Sequence, residues 1–207
     1  MLFSRKFFNQ ASQPEGFLGA MMIRGMNRGH APLADWGIKQ LGDIEPSAIL
    51  DIGCGGGLHL HKLLKRHPHA EGTGIDISPL SVKKAMKTNR QWIESGRCSI
   101  QLANVTDIPF SEKKFDLITA FETVYFWPGL EACFAQVAKV LREGGTFLIV
   151  NETNGEDPIG RKFEKLIDRM TVYTGGEIET ALRGAGFSDI KISQHAAFPW
   201  IAVCARK

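Results

Sequence analysis

Residues 49–57, Ile-Leu-Asp-Ile-Gly-Cys-Gly-Gly-Gly, run from an apolar stretch through an acid into clustered glycines, with a helix-like segment from Leu58 behind them. A strand that feeds a glycine-rich turn and then a helix is the ligand-binding turn of a doubly wound α/β sheet. Gly53, Gly55 and Gly57 leave the turn without a Cβ, so its backbone can take positive φ and a ligand can lie directly against it.

The rest of the chain fits such a sheet. Period and punctuation predict a helix over 58–67, a strand over 72–77, a helix over 79–95, strands over 98–103 and 115–121, a helix over 130–142 and a strand over 145–151. Ser78-Pro79 signals a helix start, while Gly96 and Gly144-Gly145 signal ends. Strand and helix in alternation argue for a parallel sheet covered on both faces. The tail departs from this pattern, with a helix near 176–184 and strands over 187–193 and 200–205. Roughly six residues join those last strands, too few for a parallel crossover, so they must be antiparallel. Residues 1–48 read as a flexible first dozen residues followed by one or two amphipathic helices over the ligand site. Residues 151–174, polar at first and helical after Pro158, read as its second wall.

Two features narrow the ligand. A dinucleotide fingerprint needs a small residue where Leu58 stands, so the pyrophosphate pattern fails. Asp51, just before the glycines, would repel a pyrophosphate and favour a ligand with an ammonium group. Asp76 ends the next strand, roughly 20 residues on, at the distance from which an acid reaches ribose hydroxyls. Adenosine with a cationic tail describes S-adenosylmethionine.

Ile49 to Gly57 resembles the first motif of the class I S-adenosylmethionine-dependent methyltransferases, and Gly74-Ile75-Asp76 resembles the second. Ala103 to Phe110, Phe115 to Glu122 and Val140 to Ile149 resemble the later motifs in the right order. The family often has Asp where this chain has Asn104, whose carbonyl can still accept from the adenine amino group. The resemblance implies a Rossmann-like three-layer α/β sandwich, with a mostly parallel seven-stranded sheet and an antiparallel C-terminal strand. It also implies S-adenosylmethionine as cofactor, held by Asp51, Gly53, Gly55, Gly57, Asp76, Ile77, Asn104, Val105 and Phe121. Residues 49–207 would form the methyltransferase domain and 1–48 a helical cap on it, within one structural domain.

Composition agrees. With 207 residues, 43% of them hydrophobic, the chain can bury one good core. A net charge of +3 with scattered basic pairs such as Lys83-Lys84 and Lys113-Lys114 gives no support for nucleic-acid or membrane binding. Cys54, Cys98, Cys133 and Cys204 form no Cys-x-x-Cys pair, which reads as reduced thiols in a cytoplasmic protein. Arg5 and Lys6 are followed by no apolar export segment.

Methyl transfer is an in-line displacement, and it needs a base only when the nucleophile arrives protonated. The turn after the fourth strand, Phe121 to Trp127, would stand at the carboxyl edge of the sheet. Glu122 and Tyr125, with His30 from the cap, are the expected catalytic residues; Tyr125 and Trp127 are the expected acceptor wall, and Phe126 is as readily core as pocket. His59, His61, His67 and His69 are too ill-spaced on a helix to share a metal, and no metal is expected. Cys54 reads as a small packing residue, and Asn151-Glu152 as a possible substrate contact. The function read here is methylation of a small-molecule acceptor. The alternatives are a non-catalytic S-adenosylmethionine-binding protein and a nicotinamide-dependent oxidoreductase, the latter disfavoured by Leu58 and Asp51.

Overall fold

In a computed structural model that describes residues 7–207, seven strands form one sheet in the order β3-β2-β1-β4-β5-β7-β6. They are β1 (Ala48–Ile52), β2 (Glu71–Asp76), β3 (Cys98–Leu102), β4 (Phe115–Phe121), β5 (Leu141–Asn151), β6 (Ser188–Gln194) and β7 (Ile201–Arg206). The pairs from β3 through β5 are parallel, whereas β7 runs antiparallel to both β5 and β6. Six residues, 195–200, separate β6 from β7, a span that permits only the antiparallel return.

Adjacent residues on the central strands divide between two cores, because successive side chains point to opposite faces. Ile49, Leu117, Leu148 and Ala202 pack with α2 (Ala31–Lys39) and α3 (Leu58–Arg66) on one face. Leu50, Ile118, Ile149 and Val203 pack on the other with α6 (Leu130–Val140) and α8 (Gly175–Gly184), among them Phe134, Val137, Ile178 and Leu182. The result is the expected three-layer sandwich with an antiparallel C-terminal strand.

Two boundaries differ from the sequence reading. The single helix expected over 79–95 is two, α4 (Pro79–Thr88) and α5 (Arg90–Glu94), parted at Asn89. That side chain is fully buried and donates from Nδ2 to Gly57 O at 2.9 Å and Ala85 O at 3.1 Å, tying the break to the glycine turn. The last parallel strand begins at Leu141 rather than 145, since Leu141 pairs with Phe115 before the register shifts. The helix before it therefore ends at Val140.

The two segments outside the alternation lie at the carboxyl end of the sheet. α1 (Gly16–Gly29) carries the cap; Ser78, the N-cap of α4, donates its hydroxyl to Pro14 O at 2.7 Å and so moors it. Beyond β5 comes α7 (Pro158–Leu166), whose N-cap Asp157 accepts from Gly160 N–H at 2.7 Å. A turn at Asn9–Ala11 meets the end of this second segment. Asn9 Nδ2 donates to Asp168 at 2.6 Å, Asp168 N–H donates back to Asn9 Oδ1 at 2.9 Å, and Phe8 packs on Phe163. Of the dozen residues read as flexible, 1–6, with Arg5 and Lys6, lie outside the described residues.

Candidate active site

The glycine turn leaves β1 with Gly53 and Cys54 N–H both donating to Ile75 O, at 2.8 and 2.9 Å. Gly53 has φ 69° and a Cβ there would collide with the Thr123 side chain, so its role is to let β1 and the turn after β4 come together. Gly55, at φ 51°, differs: a Cβ would project into open space at the mouth of a cavity. Its N–H donates to Asp76 Oδ2 at 2.8 Å, while Ser78 N–H donates to Oδ1 at 2.8 Å. Burial raises the Asp76 carboxyl, and these hydrogen bonds oppose that rise.

The cavity has a volume of about 590 Å³. Gly53, Gly55, Asp76, Ile77, Asn104, Val105 and Phe121 line it as expected of a cofactor site, with Asn104 Oδ1 accepting from Thr106 N–H at 3.1 Å. Two expected contacts do not. Asp51 sits in register beside Thr119 of β4, which donates its hydroxyl to Oδ1 at 2.7 Å, and the side chain is fully buried under the turn. It does not line the cavity, so the expected ammonium contact is not a direct one. Burial pushes its carboxyl up to about 7, and Oδ2 has no hydrogen-bond partner among the described residues. Gly57 is likewise away from the cavity, where its bare Cα packs against Ala85 and Asn89.

A second cavity of about 350 Å³ adjoins the first, and both are lined by His30, Glu122, Met26, Phe126 and Ala11. At this junction His30 Nε2 lies 4.0 Å from Glu122 Oε2 and 3.5 Å from Glu152 Oε2. Glu122 holds φ 58°, in the left-handed region, and its Oε1 accepts from Tyr125 O–H at 3.2 Å and from Glu152 N–H. Burial and the neighbouring Glu152 raise the Glu122 carboxyl well above its ordinary range. Burial also lowers His30, an effect that Glu152 opposes, so the imidazole favours its neutral form.

The aromatic run after β4 divides among three places. Tyr125 is buried, lines the second cavity alone, and its hydroxyl accepts from Thr153 N–H at 3.4 Å. Phe126 lines both cavities. Trp127, expected as acceptor wall, is a core residue: it packs edge-on to Phe134 with ring centres 5.9 Å apart, stacks on Phe147, and borders only the first cavity. The second cavity is walled instead by Met22, Phe163, Ile167 and Met170, which the sequence reading placed in its segments without naming them. The 159, 163, 167 apolar spacing was the signal that could have found the face of α7.

Of the four histidines of the His59 group, His59 is half-buried against Phe121, 4.4 Å between ring centres, and desolvation lowers its imidazole to about 3. His61 Nδ1 accepts from Trp92 Nε1–H at 3.2 Å. Among the described residues, the group of potential ligands that converges is His30, Glu122 and Glu152. Burial raises the Cys54 thiol well above its ordinary range, consistent with a packing role.

Residues 49–145 match the methyltransferase-domain family. Over that span, just under half of its length, the chain carries a methyltransferase domain, and the relatives and structural neighbours support the class I S-adenosylmethionine-dependent type. It is similar to the O-methyltransferase resE of Aspergillus sclerotiorum, 28% identical over 143 residues that cover 67% of this chain and 54% of that protein. The chain spans about half the length of the curated relatives it matches first. The fold resembles that of the methyltransferase solved with the Trm112 activator of Haloferax volcanii, with a TM-score of 0.79, 20% identity, and 90% and 93% of the two chains covered. It also resembles phosphoethanolamine N-methyltransferase 2 of Haemonchus contortus, solved with S-adenosylmethionine, at a TM-score of 0.73, 14% identity, and 86% and 52% coverage.

The residues of the methyltransferase domain fit its cofactor. Open space above the Cβ-less Gly55, a carboxylate at the end of β2, and Asn104 with Val105 across the cavity offer partners for the amino-acid tail, ribose and adenine. Among the described residues no helix is long and apolar enough to cross a membrane.

Proposed function

We propose that this chain transfers the methyl group of S-adenosylmethionine to a small molecule whose body lies in the second cavity. The observation that carries the reading is the junction itself: a cofactor-sized cavity and an apolar one share a wall made of His30, Glu122, Met26 and Phe126. In this reading Asp76 holds the ribose, Asn104 and the Val105 backbone the adenine, and the Gly55 side of the glycine turn the amino-acid tail. His30 and Glu122 orient the reacting atom and take its proton, with Tyr125 fixing Glu122. Bound S-adenosylmethionine supplies an electrophilic methyl group; everything else is positioning, which can account for roughly 7–11 kcal/mol of a barrier.

The described part of residues 1–48, from residue 7 on, acts as a cap on the domain. A small acceptor, rather than a nucleic acid, suits a chamber walled on several sides. Four free cysteines suit a reducing compartment such as the cytoplasm.

Calorimetry should give micromolar binding of S-adenosylhomocysteine, and Asp76→Ala should weaken it by about 1.5–3 kcal/mol, the scale of hydrogen bonds to a charged group. A folded sample that gives no heat would end the proposal. Transfer itself is read as S-adenosylhomocysteine formed from S-adenosylmethionine across an acceptor panel, which separates an enzyme from a protein that only binds the cofactor.

A further inference from the structure

We infer that the acceptor carries a basic nitrogen: the second cavity suits an apolar amine held as its cation beside Glu122 and Glu152. The inference deepens the proposed methyl transfer and rests on it. Met22, Phe126, Phe163, Ile167 and Met170 give the cavity its apolar body. Its charged groups are His30, Glu122, Glu152 and Asp157, and among the described residues no lysine or arginine lines it.

Asp157 is spent on its own helix, accepting from Gly160 N–H and from the Thr153 hydroxyl. Glu122 is not. Its side chain is only 9% exposed, Oε1 is occupied by Tyr125 and the Glu152 amide, and Oε2 takes no hydrogen bond among the described residues. Glu122 lines both cavities, and that oxygen lies 4.0 Å from His30 Nε2.

Charge decides among head groups. With Glu122 raised by burial and by the neighbouring Glu152, a carboxylate or phosphate head would bring a further negative group into the site, and a neutral hydroxyl brings no charge to oppose either cause. An ammonium group offsets both and has donors for Glu122 Oε2 and Glu152 Oε2. To react it must lose one proton, and His30, held neutral by burial, stands beside both acids to receive it. Glu152, 3.5 Å from His30 and 44% exposed, passes the proton to water. The freed lone pair then forms the N–C bond while the C–S bond breaks and its electron pair stays on sulfur. The products are an N-methylammonium ion and S-adenosylhomocysteine.

The test uses one carbon skeleton with three heads: 2-phenylethylamine, 2-phenylethanol and phenylacetate, each titrated into protein saturated with S-adenosylhomocysteine. The amine should bind at least about tenfold more tightly than the alcohol, with no heat from the acid. Glu152→Gln and Glu122→Gln should each reduce that preference by about tenfold. S-adenosylhomocysteine affinity should hold in Glu152→Gln, whose side chain borders the second cavity alone. Equal binding of amine and alcohol, tighter binding of the acid, an unchanged preference in both variants, or no binding of any probe would overturn the inference. So would alcohol binding that appears with magnesium chloride and vanishes with EDTA, which would make the three residues a cation site. Absence of S-adenosylhomocysteine binding in the first step would instead sink the proposed methyl transfer.

Discussion

Asp51 shows how far a single residue can depart from its apparent purpose. Position before the glycines suggested a contact with a cation, but its side chain faces Thr119 on the neighbouring strand and is sealed from the cavity. No period in one strand reveals which side chain of the next strand will face it, so this was not legible; the place of Asp76 beside the cavity was, because it ends a strand at the sheet's carboxyl edge. The folded protein holds the Asp51 proton more tightly than the unfolded chain does, from an ordinary 3.8 up to about 7. Stability attached to that group is therefore greatest at low pH and falls as pH rises between those values. Chemical denaturation should show Asp51→Asn losing less stability than the wild type between mildly acidic and mildly alkaline pH, by about 2–3 kcal/mol. Parallel pH profiles for the two proteins would mean that Asp51 is ionised in the fold.

Among elements, the glycine turn was read correctly as a unit, yet its glycines do different work. Gly53 and Gly57 accommodate protein atoms, whereas Gly55 leaves room at the cavity. Gly55→Ala should cost about 1–2 kcal/mol in stability for its left-handed backbone and, by occupying ligand space, weaken S-adenosylhomocysteine well beyond that. Gly53→Ala should act mainly on the fold, since the new methyl group meets Thr123. Thermal melts and calorimetry on both variants check this; equal loss of affinity at equal loss of stability would show that the distinction is false. The break at Asn89 escaped the sequence reading because Asn in a helical stretch looks like an ordinary polar surface residue. Only the tertiary structure brings the carbonyl of Gly57 to its amide.

For the whole molecule, the alternation of strands and helices and the short final connection carried the architecture, since both follow from local period and chain length. The second cavity did not emerge as clearly, because it is built between two segments distant in sequence. Phe8 with Phe163, and Asn9 with Asp168, join the cap to the segment after β5. Limited proteolysis of residues 13–30 should slow when S-adenosylhomocysteine is added; equal rates would mean that the cap does not respond to ligand. Trp127, by contrast, belongs to the main core, and Trp127→Ala should cost about 3–5 kcal/mol in denaturant unfolding. A loss confined to turnover would return it to the acceptor wall.

The left-handed backbone at Glu122 bears on what could replace it. Glycine would rest there without the left-handed strain that a glutamate meets. In the proposed reaction the carboxylate is held at the junction at the expense of that strain, so exchanging it for glycine would relieve the backbone and remove the proposed proton acceptor together.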